Sequence, residues 1–299
     1  MVLDEAQVSA VLGYEELIPA MRRALTELSA GRVTQPLRSV LSVGAQAGWF
    51  AVMPAVYGAV MGAKMVTFYP GNAGLGKHTH QAMIQLFRSD TGEPLAVMDG
   101  RLITEMRTAA VSAVAIDVLA GREARVLTIL GSGVQARSHW AAVSRVRRFD
   151  EVRVWSRTPT HAATFAAEIG ARVCGSAEEA VVGADVVITV TSAPEPIMLG
   201  RWLKSDAMVC AVGAVTPERR ELDEEAMRGP LVVESREAAL REPGDILLAG
   251  AAVSAELGEL LGGAVLAQRE GAIVFKSVGI AVEDVATAKL VFERCGGRF

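Results

Sequence analysis

The sequence predicts an α/β fold: a doubly wound parallel sheet preceded by a mixed α+β region. After Gly121, short apolar runs alternate with helical patterns, which is how a parallel sheet covered by helices on both faces is written in sequence. Before Gly121, strand-like runs follow one another with glycine-bearing or polar turns between them, the pattern of an antiparallel or mixed sheet. The 299 residues, 51% of them hydrophobic, suffice for a substantial core in one large domain or two ordinary ones.

The first helix is expected over Tyr14–Ser29, because Ile18, Met21, Leu25 and Leu28 recur at helical spacing and Gly31 supplies the stop. The runs "LRSVLSV", "WFAVMPAVY", "AKMVTFYP", "HQAMIQLFR" and "PLAVMDG" are short, and turns such as "GNAGLGKH" and "SDTGE" separate them; each reads as a strand. "RLITEMRTAAVSAVAIDVLAG" is rich in alanine and reads as a long helix ending at Gly121. The alternating part runs through "ARVLTIL", a helix over residues 134–147, "EVRVWS", a helix in "HAATFAAEIG", "ARVCG", "SAEEAVVG", "ADVVITVT", "AMVCAVGA" and "PLVVES". It is expected to extend over residues 120–277. Residues 1–119 would form the other domain, completed by a returning C-terminal helix within 278–299, "GIAVEDVATAKLVFERC".

The formal net charge of −4, from 30 basic and 34 acidic residues spread along the chain, offers no footprint for nucleic acid or an anionic membrane. Residues 39–63 carry no charge over a span long enough to cross a bilayer. Pro54, repeated glycines and β-branched residues break a helical reading there, so buried strands or a subunit interface are expected instead. Cys174, Cys210 and Cys295 lie far apart without metal-ligand spacing. With the acidic Asp4 and Glu5 where a signal peptide needs positive charge, the expectation is a cytoplasmic protein with reduced thiols.

The stretch "VLTILGSGVQARSHW" carries the first chemical signal. Gly131, Gly133 and Ala136 form a GxGxxA turn directly after an apolar strand and directly before a helix. The first glycine permits the tight turn and the second lets backbone approach a pyrophosphate. The small third residue lets helix and strand pack closely, and the helix N-terminus offers free N–H groups to the phosphates. This is the signature of a Rossmann dinucleotide site. An NAD-specific site carries an acid at the end of the next strand, about 20 residues on, to bind the ribose 2′-hydroxyl. Here that strand ends in Trp155, Ser156, Arg157 and Thr158, a guanidinium and hydroxyls suited to a 2′-phosphate. NADPH is the expected cofactor, with NADH as the alternative.

Among the remaining residues, Arg38, Lys64 and Arg107 stand in apolar or strand-like surroundings, and buried cations need partners. Arginine can fork onto a substrate carboxylate, and a lysine in an apolar strand can exchange protons near neutrality. Together they suit an amino or imino acid. Each could equally serve in an ion pair with Asp99, Glu105 or Asp284. His78 and His80 form an HxH with no third ligand set by spacing, so no metal is expected.

The stretches "TQPLRSV", "GAKMVTFYPGN", "LAVMDGRLITEMRTAAVSAVA", "ILGSGVQARSH", "VRVWSRT", "ADVVITVTSAPEPI", "AVGAVTPERRELD" and "FKSVGIAVEDVATAKL" span nearly the whole chain. In that order they resemble the ornithine cyclodeaminase/mu-crystallin family, most closely its mu-crystallin, ketimine reductase branch. The resemblance implies a homodimer whose first domain forms the interface and the substrate site, with a Rossmann domain and a C-terminal segment that returns to the first domain. It implies that Arg38 and Arg107 hold the substrate carboxylate and that Lys64 stands beside the reacting carbon and nitrogen as the catalytic residue. Gly131, Gly133, Val134 and Gln135 correspond to the pyrophosphate loop. Ser156, Arg157 and Thr158 correspond to the 2′-phosphate site, and Thr191, Val212 and Gly213 border the nicotinamide. Val215 occupies the position where ornithine cyclodeaminases carry an aspartate that handles the substrate's distal amine.

The expected activity is therefore NAD(P)H-dependent reduction of cyclic imino acids such as pyrroline-2-carboxylate or piperideine-2-carboxylate. The alternatives are alanine dehydrogenase-like reductive amination of pyruvate, ornithine cyclodeamination, and a mainly ligand-binding role.

Overall fold

The computed structural model describes residues 1–44, 47–267 and 271–299. The chain divides into two compact units, Met1–Arg107 with Gly279–Phe299, and Thr108–Val278. The first division falls inside a continuous helix, Arg101–Leu119. Its periodic pattern gives no internal boundary to read, which is why the sequence places the limit at the helix end.

The first unit opens with β1 (Val2–Leu3), α1 (Glu5–Val11), α2 (Tyr14–Ser29), β2 (Val33–Thr34), β3 (Ser39–Val43), β4 (Gly48–Tyr57), β5 (Val60–Phe68), β6 (His80–Arg88) and β7 (Pro94–Asp99). β4 through β7 pair antiparallel in chain order, whereas β1 joins β7 in parallel, so the sheet is mixed as expected. Among the described residues β3 pairs only with β4, and Val40 is 51% and Leu41 60% exposed. Among the described residues, no helix is long and apolar enough to cross a membrane. Helix α3 is the Arg101–Leu119 helix, shared between the units.

The second unit continues with β8 (Val126–Leu130), α4 (Val134–Val146), β9 (Glu151–Trp155), α5 (Pro159–Ile169), β10 (Arg172–Val173), α6 (Ala177–Val181), β11 (Val186–Thr189), β12 (Met208–Ala211) and β13 (Leu231–Val233). It closes with α7 (Arg236–Ala239), α8 (Gly244–Leu247), β14 (Ala255–Glu256), α9 (Leu257–Leu261) and β15 (Ile273–Lys276). All its strands run parallel in the order β10-β9-β8-β11-β12-β15-β13-β14. Strand order reverses between β8 and β11, the switch point at which open parallel sheets bind ligands beyond their carboxyl ends. β11 and β12 are buried throughout, as an apolar run without alternation requires.

The final helix, α10 (Ala281–Arg294), belongs to the first unit and packs on α2, β4, β5 and β6. Every residue from Ala281 to Ala288 is buried, including Glu283 and Asp284 in its first turn. Acids there favour the helix dipole, but their burial demands cationic partners.

Candidate active site

Two such cations stand on β5 and on α3, and a third stands just before β3. Along β5, burial alternates, and Lys64 falls on the buried face with Val60, Gly62 and Val66. Its Nζ lies 2.7 Å from Asp284 Oδ2. Arg107, 4% exposed, donates from Nε to Asp284 Oδ1 at 2.9 Å and from Nη1 to Glu283 Oε2 at 2.8 Å. Arg38 donates from Nη2 to the Gly279 carbonyl at 2.5 Å. Gly279 has φ +70°, and a Cβ there would lie 2.3 Å from Arg107 Nη1, so the peptide lies against the guanidinium where only glycine fits. All three predicted cations thus converge on residues 279–284. Of the acids considered from sequence, Asp284 is the partner of Lys64 and Arg107. Glu283 was not anticipated; its signal was an acid pair opening an otherwise apolar helix.

Burial pushes the Lys64 ammonium down to about 7, against the pull of Asp284 and with help from Arg107 and Arg38. Burial alone would raise the Asp284 carboxyl, but Arg107 and Lys64 outweigh it and hold it low. His80 lies directly opposite Phe68 across β5 and β6, with its ring 6.2 Å from that of Trp49 and 6.3 Å from that of Phe68. Burial first, then the charges of Lys64 and Arg107, take His80 to about 3, so it is neutral. Among the described residues, no cluster of His, Cys, Asp and Glu could hold a metal ion.

In the second unit the glycine turn leaves the end of β8. Gly131 has φ +129°, and a Cβ there would meet the Val190 carbonyl oxygen at 2.8 Å. Gly133 caps α4 without a side-chain hydrogen bond, and a Cβ there would meet nothing within 4 Å. The first turn of α4 therefore presents backbone N–H groups beside open space, which fits a dinucleotide pyrophosphate. Val134 is 49% exposed, and the Gln135 carbonyl lies 2.7 Å from His139 Nδ1. Ser132 Oγ donates to Ser156 Oγ at 2.9 Å, tying the turn to the end of β9. Arg157 is exposed, with no hydrogen bond or ion pair among the described residues. Thr158 caps α5 without using its hydroxyl.

Beyond β11 and β12, Thr191, Val212 and Gly213 lie near a residue the sequence did not disclose. Glu221, fully buried, accepts from Thr191 N and Oγ1 at 2.7 Å each, from Gly213 N at 2.7 Å and from Thr189 Oγ1 at 2.8 Å. Asp245 accepts from the backbone N–H of Glu221 at 2.7 Å and of Leu222 at 3.0 Å, and Lys276 Nζ lies 3.0 Å from its other oxygen.

Fold and donor set define a two-unit α/β protein with a Rossmann dinucleotide site in one unit and a buried lysine among arginines and carboxylates in the other. The chain belongs to the ornithine cyclodeaminase/mu-crystallin family, whose model matches residues 1–298. It is 50% identical over 285 residues to the ketimine reductase mu-crystallin of Mus musculus, covering 93% of this chain and 91% of that one. Among solved structures it resembles Thermococcus litoralis Delta(1)-pyrroline-2-carboxylate reductase in complex with NADH and L-proline. That match has a TM-score of 0.93 and 34% identity over 99% of this chain and 97% of the other. An archaeal alanine dehydrogenase dimer with bound NAD matches with a TM-score of 0.93 and 30% identity, over 99% and 95% of the two chains.

Proposed function

We propose that the protein is an NADPH-dependent reductase of cyclic imino acids, such as pyrroline-2-carboxylate and piperideine-2-carboxylate. The observation that carries this reading is the buried Lys64, held at about 7 beside Asp284 and Arg107. Arg38 and Arg107 anchor the substrate carboxylate by charge-assisted hydrogen bonds. Lys64 gives its proton to the imine nitrogen, and its lowered pKa suits transfer near neutral pH. Asp284 keeps that ammonium charged and in place. When bound, the reduced dinucleotide supplies the hydride that the imine carbon accepts.

Gly131, Gly133, Val134 and Gln135 hold the pyrophosphate, and Thr191, Val212 and Gly213 border the nicotinamide. The exposed Arg157, with Ser156 and Thr158, supports NADPH over NADH. Val215, unable to handle a distal amine, argues against ornithine cyclodeamination. Exposed Val40 and Leu41 on β3 support a homodimer, and three free cysteines support a cytoplasmic site.

Loss of NADPH absorbance should follow addition of five- and six-membered cyclic ketimines. Consumption only with pyruvate plus ammonium would replace this reading by an alanine dehydrogenase-like one, and ligand binding without turnover on either would replace it by a binding role.

A further inference from the structure

Glu221 is a fully buried acid that the reaction as written does not use. Its two oxygens divide their work: Oε1 accepts from the backbone and hydroxyl of Thr191, and Oε2 accepts from the backbone of Gly213 and the hydroxyl of Thr189. One carboxylate therefore clamps the loop after β11 to the loop after β12, at the carboxyl edge of the parallel sheet. The loops meet so closely that a Cβ on Gly213 would lie 1.9 Å from the Thr191 carbonyl oxygen. Glu221 is itself fixed, because Asp245 holds its backbone N–H and Lys276 fixes Asp245.

Burial raises the Glu221 carboxyl and the buried Lys276 pulls it back down, but the hydrogen bonds to its two oxygens serve the loops. Every group that Glu221 grips belongs to β11 or to the two loops, and the grip needs both oxygens to be acceptors, since two of the donors are backbone N–H groups that cannot reverse.

We propose that Glu221 is a positioning residue for the nicotinamide half of the cofactor, acting through Thr191 and Gly213 to fix the spacing of the loops that border the ring. The proposal rests on the reading of this unit as the cofactor-binding half. Glutamine at this position keeps the shape but replaces one acceptor oxygen with an NH2 group, which faces a donor and opens one side of the clamp. Aspartate keeps both acceptors on a shorter arm.

The test compares two ligands by calorimetry on the wild-type protein, E221Q and E221D. NADPH carries the nicotinamide; adenosine 2′,5′-bisphosphate lacks it and reports only the glycine turn and the Arg157 region. E221Q should weaken NADPH by roughly three- to ten-fold, as loss of one buried hydrogen bond implies, and leave the bisphosphate unchanged. E221D should recover part of the NADPH affinity. Equal weakening of both ligands would mean that Glu221 only stabilises the fold, and unchanged NADPH binding would mean that the clamp does not set the ring site; either result overturns the proposal. A wild-type protein that binds NADPH but reduces no cyclic imino acid would overturn the proposed activity alone, because the ligand comparison would still decide the role of Glu221.

Discussion

Lys64 Nζ lies 2.7 Å from Asp284 Oδ2, with side chains 2% and 0% exposed, although the residues stand on β5 and α10 at opposite ends of the sequence. Taking two charges out of water is costly, and such a pair is retained at a site where a proton must be held and released. Asp284 also binds Arg107, so a single carboxylate orders both the proposed proton donor and one proposed carboxylate anchor.

The first expectation concerns pH. Lys64 donates only when charged, and burial places its pKa at about 7. Imine reduction should therefore decline as pH rises through about 7, read from kcat/KM against pH. The linkage to stability has the opposite sense: the unfolded chain binds this proton up to the ordinary value of 10.5, so the penalty of burying the charged lysine is relieved as pH rises from about 7 towards 10.5. A flat profile across neutrality in the wild-type enzyme would exclude Lys64 as the donor.

Asp284→Asn removes the charge that supports the Lys64 proton while keeping the shape. Arg107 and Arg38 then act on Lys64 without their counterweight, and the pH at which activity falls should move downward. Breaking a buried pair from one side costs on the order of 3 to 5 kcal/mol, so the melting temperature should drop as well. An unmoved pH profile in a folded variant would show that Asp284 does not set the Lys64 proton.

Gly279→Ala tests the carboxylate anchor. Its Cβ would lie 2.3 Å from Arg107 Nη1 at φ +70°, and the Gly279 carbonyl also receives Arg38. KM for the imino acid should rise roughly ten-fold or more, as a weakened charged hydrogen bond implies. NADPH affinity, measured by calorimetry, should stay near wild type.

Arg157→Asp places a negative charge at the end of β9. If Arg157 binds the 2′-phosphate, KM for NADPH should rise by roughly ten- to a hundred-fold, the range of a lost charge-assisted contact, and KM for NADH should change little. Equal effects on both cofactors would assign Arg157 to the surface.

Much of this was legible locally. The alternation around Lys64 marks a lysine on the buried face of a strand, and the glycines after "VLTIL" mark a turn whose φ of +129° at Gly131 admits no other residue readily. What stayed hidden is non-local or compensated. Nothing near Arg107 in sequence says that its partners lie 176 and 177 residues away. Glu221 sits in "PERRELD", a charged stretch that reads as solvated loop, and only tertiary structure separates the buried acid from the exposed Glu218 and the half-buried Arg219, Arg220 and Asp223. The insertion of β15 between β12 and β13 leaves no trace in a strand's composition, and the short α7, α8, β14 and α9 are too brief for a periodic pattern.

The central claim is hydride transfer to the imine carbon of a cyclic substrate. Supply the enzyme with piperideine-2-carboxylate and NADPH deuterated at the transferable position, and analyse the product by mass spectrometry. The expected product is the cyclic amino acid carrying one deuterium at the carbon bonded to the carboxylate. Recovery of unreduced ketimine with the cofactor intact, while pyruvate and ammonium yield labelled alanine, would contradict it.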